Sequence, residues 1–181
     1  MRSIVISVCI LTGACGSQGL NSPAAPESAN AGQAQSSAFG DELPLRGSYT
    51  LTSTGAVNCP PTCPPTVLRV VGTGEGTATQ FGLFTLEMVD MVDLVNGGST
   101  GTLAFTAANG DRLFSTTVGI EELFVPPNTS HVRLVVTVVG GTGRFASASG
   151  AFIARHVATI DFPTNTASAT GSFEGRISLN N

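Results

Sequence analysis

Ala167-Ser168-Ala169-Thr170-Gly171-Ser172-Phe173-Glu174-Gly175-Arg176-Ile177-Ser178-Leu179 alternates without a break. In an extended chain Ala167, Ala169, Gly171, Phe173, Gly175, Ile177 and Leu179 fall on one side. Ser168, Thr170, Ser172, Glu174, Arg176 and Ser178 fall on the other. Successive side chains of a strand point to opposite faces, so this pattern describes a strand with one face buried and one in water. The same period recurs upstream. Val132, Leu134, Val136 and Val138 share a face in 131–139, as do Leu103, Phe105 and Ala107 in 100–108, and Phe114, Thr116 and Val118 in 112–119.

Further runs rich in Thr, Val, Phe and Ile cover 47–54, 67–72, 77–89 and 151–160, separated by Gly, Asn or Pro. About eight strands result. Ala108-Asn109-Gly110-Asp111 places Asn-Gly between two alternating runs, a strong hairpin signal that makes those runs antiparallel neighbours. Residues 86–95 space Glu87, Asp90 and Asp93 three apart, like a polar helical stripe. With Phe81 to Thr85 before them and Gly97-Gly98 after, a bulged strand fits better. Short antiparallel strands with tight turns close most economically on themselves. The expected fold is therefore all-β: a single antiparallel β-barrel of roughly eight strands, with a two-sheet β-sandwich as the alternative.

Composition narrows the function. Hydrophobic residues make up 41% of the 181-residue chain and charged residues 11%. The eight basic residues are all Arg, scattered, against twelve acidic ones. Nucleic-acid binding needs a dense basic patch and is excluded as an expectation. Absence of Lys removes a P-loop Lys and Schiff-base chemistry. With no Trp and one Tyr, Tyr49, the chain lacks the aromatic girdles of an outer-membrane barrel.

The N-terminus reads as an address. Arg2, the apolar run Ile4 to Leu11 and the small residues before Cys15 form a signal peptide over 1–14. Leu11-Thr12-Gly13-Ala14-Cys15 resembles a bacterial lipobox, with Thr12 where Leu is preferred. It implies lipidation of Cys15 and a membrane partner through that anchor; a plain secretory signal is the alternative. Residues 15–44 are rich in Ser, Ala, Asn, Gln, Gly and Pro and read as a tether, with the barrel domain spanning 45–181. The expected location is the cell envelope, or a soluble exported state if the anchor is absent. Nothing in the chain sets an oligomeric state.

Two motifs invite catalytic readings. Gly140-Gly141-Thr142-Gly143-Arg144-Phe145-Ala146 matches G-x-G-x-x-A spacing, but a dinucleotide site needs those glycines to open a helix in a βαβ unit, and β-type residues follow instead. Gly141 and Gly143 are expected at positive φ in a turn. Cys59-Pro60-Pro61-Thr62-Cys63 fits a small disulfide loop in an exported protein, although Pro60-Pro61 favours an extended path. His131 and His156 are the only histidines. Alternation puts His131 opposite the Val132 face, and His156 lies beside Arg155, so both are expected at the surface. Glu87, Asp90 and Asp93 alternate in direction on a strand and are expected as solvated residues. No metal, cofactor or catalytic set is expected.

Gly140 to Phe145 with Ala146, Ala148 and Gly150 resembles a late segment of the dirigent and allene-oxide-cyclase-like barrels. Gly76-Thr77-Ala78-Thr79-Gln80-Phe81-Gly82 and Ala107-Ala108-Asn109-Gly110-Asp111 resemble stretches of exported bacterial proteins of that kind. The resemblance covers roughly 47–179 and rests on turn motifs, so it speaks to fold more than function. It implies a barrel able to hold a small apolar molecule. Three functions stay open: a non-catalytic binding or surface module for such a molecule, an isomerase or cyclase, and a structural envelope protein. For the second, Glu87, Arg144 and Tyr49 are the inward-facing candidates.

Overall fold

The computed structural model describes residues 42–57 and 66–179. The signal peptide, Cys15, most of the tether and the pair Cys59 and Cys63 lie outside the described residues. Eight strands follow one another: β1 (Glu42–Val57), β2 (Val67–Ala78), β3 (Gly82–Asp93), β4 (Gly98–Ala107), β5 (Arg112–Val125), β6 (Thr129–Gly141), β7 (Ala148–Asp161) and β8 (Thr166–Leu179). Each pairs antiparallel with its sequence neighbour, and β8 pairs with β1, so the sheet closes into a barrel and not into a sandwich. β1 begins at Glu42, so residues 42–44, expected in the tether, belong to the barrel wall.

The register can be followed around the wall. Ser53 lies opposite Gly72, then Met88, Leu103, Ser115, Val138, Gly150 and Ile177, and the row returns to β1 at Leu43, ten residues before Ser53. That offset is the stagger by which tilted strands close a barrel, and eight strands leave an interior that side chains can just fill. Of the 86–95 stretch, 86–93 is regular strand without a bulge, since β3 pairs with β2 and β4 without a register shift, and 94–95 belong to the following turn. The irregularities fall in β5–β6, between Phe114 and Ser115 and between Glu121 and Leu123.

Hairpin geometry corrects one face assignment. The Asn109-Gly110 turn, with Gly110 at φ 87°, pairs Phe105 with Leu113. Leu113, Ser115 and Thr117 therefore join Phe105 inside, and the expected apolar face of Phe114, Thr116 and Val118 looks outward. Phe105, Phe81, Phe84, Phe145, Phe152 and Phe173 form one aromatic cluster, with neighbouring centroids 5.0 to 6.0 Å apart. It fills the end that holds the β2–β3, β4–β5 and β6–β7 turns.

The glycine motif serves that plug. Residues Gly143–Phe145 form a single 3-10 turn, too short to offer a helix N-terminus, and Phe145 is fully buried against Phe81. Gly143 sits at φ 55°, and a Cβ on it would overlap the Asp111 carboxylate. Gly141 differs from expectation. Its neighbours Gly140 and Gly143 take positive φ and Gly141 does not; its constraint is space, because a Cβ would lie 2.0 Å from the Arg112 carbonyl oxygen. The turn is tied to β5 by the Thr142 N–H, which donates to Arg112 O at 2.8 Å, and by the Arg112 N–H, which donates to Thr142 Oγ1 at 2.9 Å.

Candidate functional site

Alternation carries polar side chains inward at the other end of the barrel. On β3 the buried row Phe84, Leu86, Met88 continues to Asp90, which is also buried. On β7 the row Phe152, Ala154 continues to His156. Register partners of Asp90 run through Gly101, Thr117 and Val136 to Phe152 in one direction. In the other they run through Val70 and Gly55 towards the β7–β8 turn. His156 lies between these two landings, so it stands across the lumen from Asp90 at a similar height.

His156 and Asp90 thus correct two surface expectations. Parity with the buried Phe and Met residues was present in the sequence, and the charged neighbour Arg155 masked it for His156. The Tyr49 hydroxyl and His156 Nδ1 are 3.0 Å apart, their rings edge-on with centroids 6.3 Å apart. Gly171, the register partner of both, makes this approach possible, since a Cβ there would lie 2.7 Å from each side chain. Burial lowers the His156 pKa to about 4 and pushes the Tyr49 phenol well above its usual range. At neutral pH both are uncharged, and the phenol and the imidazole share one hydrogen bond.

Burial also raises the Asp90 carboxyl, offset in part by the nearby Ser99 hydroxyl and the Met91 N–H. Its Oδ1 and Ser99 Oγ nevertheless lack a partner in hydrogen-bond geometry. A carboxyl held this way favours its neutral form. Two other inward hydroxyls are paired locally: Ser115 Oγ donates to Leu103 O at 3.2 Å, and Ser130 Oγ to Glu121 Oε1.

The other candidates do not join this set. Glu87 faces outward and binds Arg112 at 2.6 Å. Arg144 lies 3.9 Å from Asp111 and stacks over Phe145 at 4.7 Å. Asp93 accepts from the Val95 N–H and Asn96 Nδ2 in the β3–β4 turn. His131 is half-buried. Among the described residues no group of three or more His, Cys, Asp or Glu could hold a metal ion.

Space decides what these groups can do. Between Tyr49, Leu86, Met88, Leu134 and Phe152 the interior keeps a void of only about 10 Å³, at the limit for one water molecule. The large space is a cleft of about 830 Å³ at the end opposite the aromatic plug. Ser53 and Val71, Pro127, Thr159, Phe162 and Ser168 are among its walls. Among the described residues its one charged lining residue is Asp161. The buried polar groups therefore have no ligand-sized space beside them, and among the described residues the cleft walls are hydroxyl-rich, apolar and free of cations.

Fold and site define a closed, eight-stranded antiparallel barrel with a filled interior and an open cleft at one end. No protein-family profile and no curated protein matches the chain. Among solved structures it is similar to the pterocarpan synthase dirigent protein GePTS1 at 15% identity, over 78% of this chain and 94% of that one, with a TM-score of 0.42. No residue role here rests on that likeness.

Proposed function

We propose that this protein is a non-catalytic binding module that takes a small, neutral, largely apolar molecule in the cleft and is exported and held at a membrane through lipidated Cys15. The observation that carries the binding reading is the contrast in space: about 10 Å³ inside the barrel against about 830 Å³ at its open end. The larger volume falls in the range of small-molecule sites. An anion would meet Asp161 with no cation to compensate, and a strongly polar ligand would leave its groups unpaired against Val71, Pro127 and Phe162.

A cyclase or isomerase reading draws on the Tyr49 and His156 pair and on Asp90. It is disfavoured because substrate has no room beside them.

The uncharged fluorophore N-phenyl-1-naphthylamine tests the cleft. Its emission should rise saturably with one site per chain, and Thr159→Trp, which fills the cleft from an exposed position, should weaken binding by about tenfold or more. Val95→Asp, away from the cleft lining, should leave it unchanged. Binding that is unsaturable or indifferent to Thr159→Trp would overturn the reading. For the anchor, mass spectrometry of the mature chain should find Cys15 as the acylated first residue; an unmodified chain starting elsewhere would refute it.

A further inference from the structure

The turns at the cleft end share a property that reaches beyond the cleft, to which Phe162 alone of their large apolar residues belongs. The β3–β4 turn carries Leu94 and Val95, the end of β5 carries Leu123, Phe124 and Val125, and Phe162 opens the β7–β8 turn. All six side chains are exposed, Val95 by 78%. At the opposite end the aromatic turn residues Phe81 and Phe145 are buried in the plug, and among the described residues Leu83 and Val139 are the large apolar side chains left outside.

The β5–β6 hairpin makes the asymmetry sharper. Pairing of β5 with β4 stops at Ile120 opposite Gly98, whereas pairing with β6 continues to Val125 opposite Thr129. Beyond Glu121, whose N–H donates to the Gly97 carbonyl at 3.0 Å, β5 loses its β4 neighbour while β6 stays paired with β7 as far as Thr129, and residues 121–127 are all exposed. Packing in the barrel does not require Leu123, Phe124 or Val125 to be apolar.

Tips like these could meet a protein or a lipid surface, and two observations select lipid. First, they are exposed and belong to three separate turns at the cleft end. A soft apolar phase accommodates that arrangement, while a protein partner would need three matching contacts. Second, polar backbone in the β3–β4 turn is already satisfied within the turn. The Val95 N–H donates to Asp93 Oδ1 at 2.8 Å, Asn96 Nδ2 to Asp93 Oδ2 at 2.7 Å and the Gly98 N–H to Asn96 Oδ1 at 2.7 Å. Pro126 and Pro127 carry no N–H. At the β3–β4 turn and at Pro126-Pro127, entry into an apolar phase therefore strips water from few unpaired donors, and the open β5 edge at 122–125 stays at headgroup level.

Charge then selects the kind of lipid. Asp93, Glu121, Glu122 and Asp161 stand at this end against Arg69 and Arg133, and Arg133 already lies 3.9 Å from Glu122. Anionic headgroups would be repelled. Charges on the outer wall, among them Glu75, Glu87, Arg155 and Glu174, keep the barrel itself out of the hydrocarbon.

We infer that the rim formed by Leu94, Val95, Leu123, Phe124, Val125 and Phe162 inserts into the interface of a zwitterionic membrane, so that the barrel stands on its cleft end with the cleft facing the lipid. This contact depends neither on Cys15 nor on a ligand in the cleft.

The test uses the chain from residue 15 onward with Cys15→Ser, so that neither leader nor acyl chain contributes, and co-sedimentation with phosphatidylcholine vesicles. Binding is expected, insensitive to salt and weakened when phosphatidylglycerol is added. Val95→Asp and Phe124→Asp should each weaken it about tenfold or more, as loss of one buried large apolar side chain implies. Leu83→Asp, at the other end and also exposed, should change nothing. Absence of sedimentation overturns the inference, as does equal loss with Leu83→Asp. So does a wild-type oligomer that Val95→Asp converts to monomer, since a second copy would then cover the rim.

Discussion

Replacing Phe105 with Ala is expected to lower the unfolding free energy by about 3 to 5 kcal/mol, the range for deleting a buried aromatic ring. Phe105 is 1% exposed. It stacks on Phe81 at 5.4 Å and meets Phe84, Phe152 and Phe173 edge-on at 5.3, 5.9 and 5.8 Å. A closed ring of backbone hydrogen bonds holds the strands around it, so the wall has little freedom to collapse into the hole. The loss should therefore sit at the upper part of the range. Urea denaturation would read it as a lower midpoint with an unchanged slope. Phe114→Ala is the paired measurement, because Phe114 is the same residue type on the outer face. Equal losses in the two variants would mean that the assignment of faces along β5 is wrong.

Acidification is expected to destabilise the barrel through His156. Its folded pKa of about 4 lies below the ordinary 6.5, so between these values the unfolded chain binds more protons than the native one. The stability contributed by the neutral imidazole is complete above pH 6.5, falls as pH drops below it and is fully lost below about 4. From pH 8 to pH 5 the loss should be about 2 kcal/mol. Asp90 acts in the opposite sense. Its raised carboxyl contributes stability that is complete below the ordinary carboxylate range and is lost as pH rises through the folded value. Denaturation of the wild type, His156→Phe and Asp90→Asn at pH 8 and pH 5 separates the two. His156→Phe should remove the acid-side loss, and Asp90→Asn should deepen it. A wild-type profile flat between these pH values, unchanged by His156→Phe, would place His156 in water.

The comparison of β8 with β5 shows how much of this was legible in the chain. In 167–179 every inward residue is small or apolar and every outward residue polar, so alternation alone assigned both faces correctly. In 112–119 both parities hold apolar members. The face was then set by the register that Asn109-Gly110 imposes, which pairs Phe105 with Leu113. Asp90 and His156 were reachable by extending the parity of Phe84, Leu86 and Met88, and of Phe152 and Ala154. A polar residue ending an apolar row reads equally well as the point where the row leaves the core. Only the position of the opposite wall separates the two cases.

By itself the sequence determined the period-two strands, the hairpin at Asn109-Gly110, the absence of a dense basic patch and the failure of the glycine motif as a nucleotide loop. These depend on local conformation or on composition, which the chain carries residue by residue. Closure with a ten-residue stagger was decided only by the tertiary structure, as were the filling of the lumen by six phenylalanines and the gathering of three apolar turns at one end. Each depends on which strands come to face one another, a sum over all eight pairings around the ring that no local window contains.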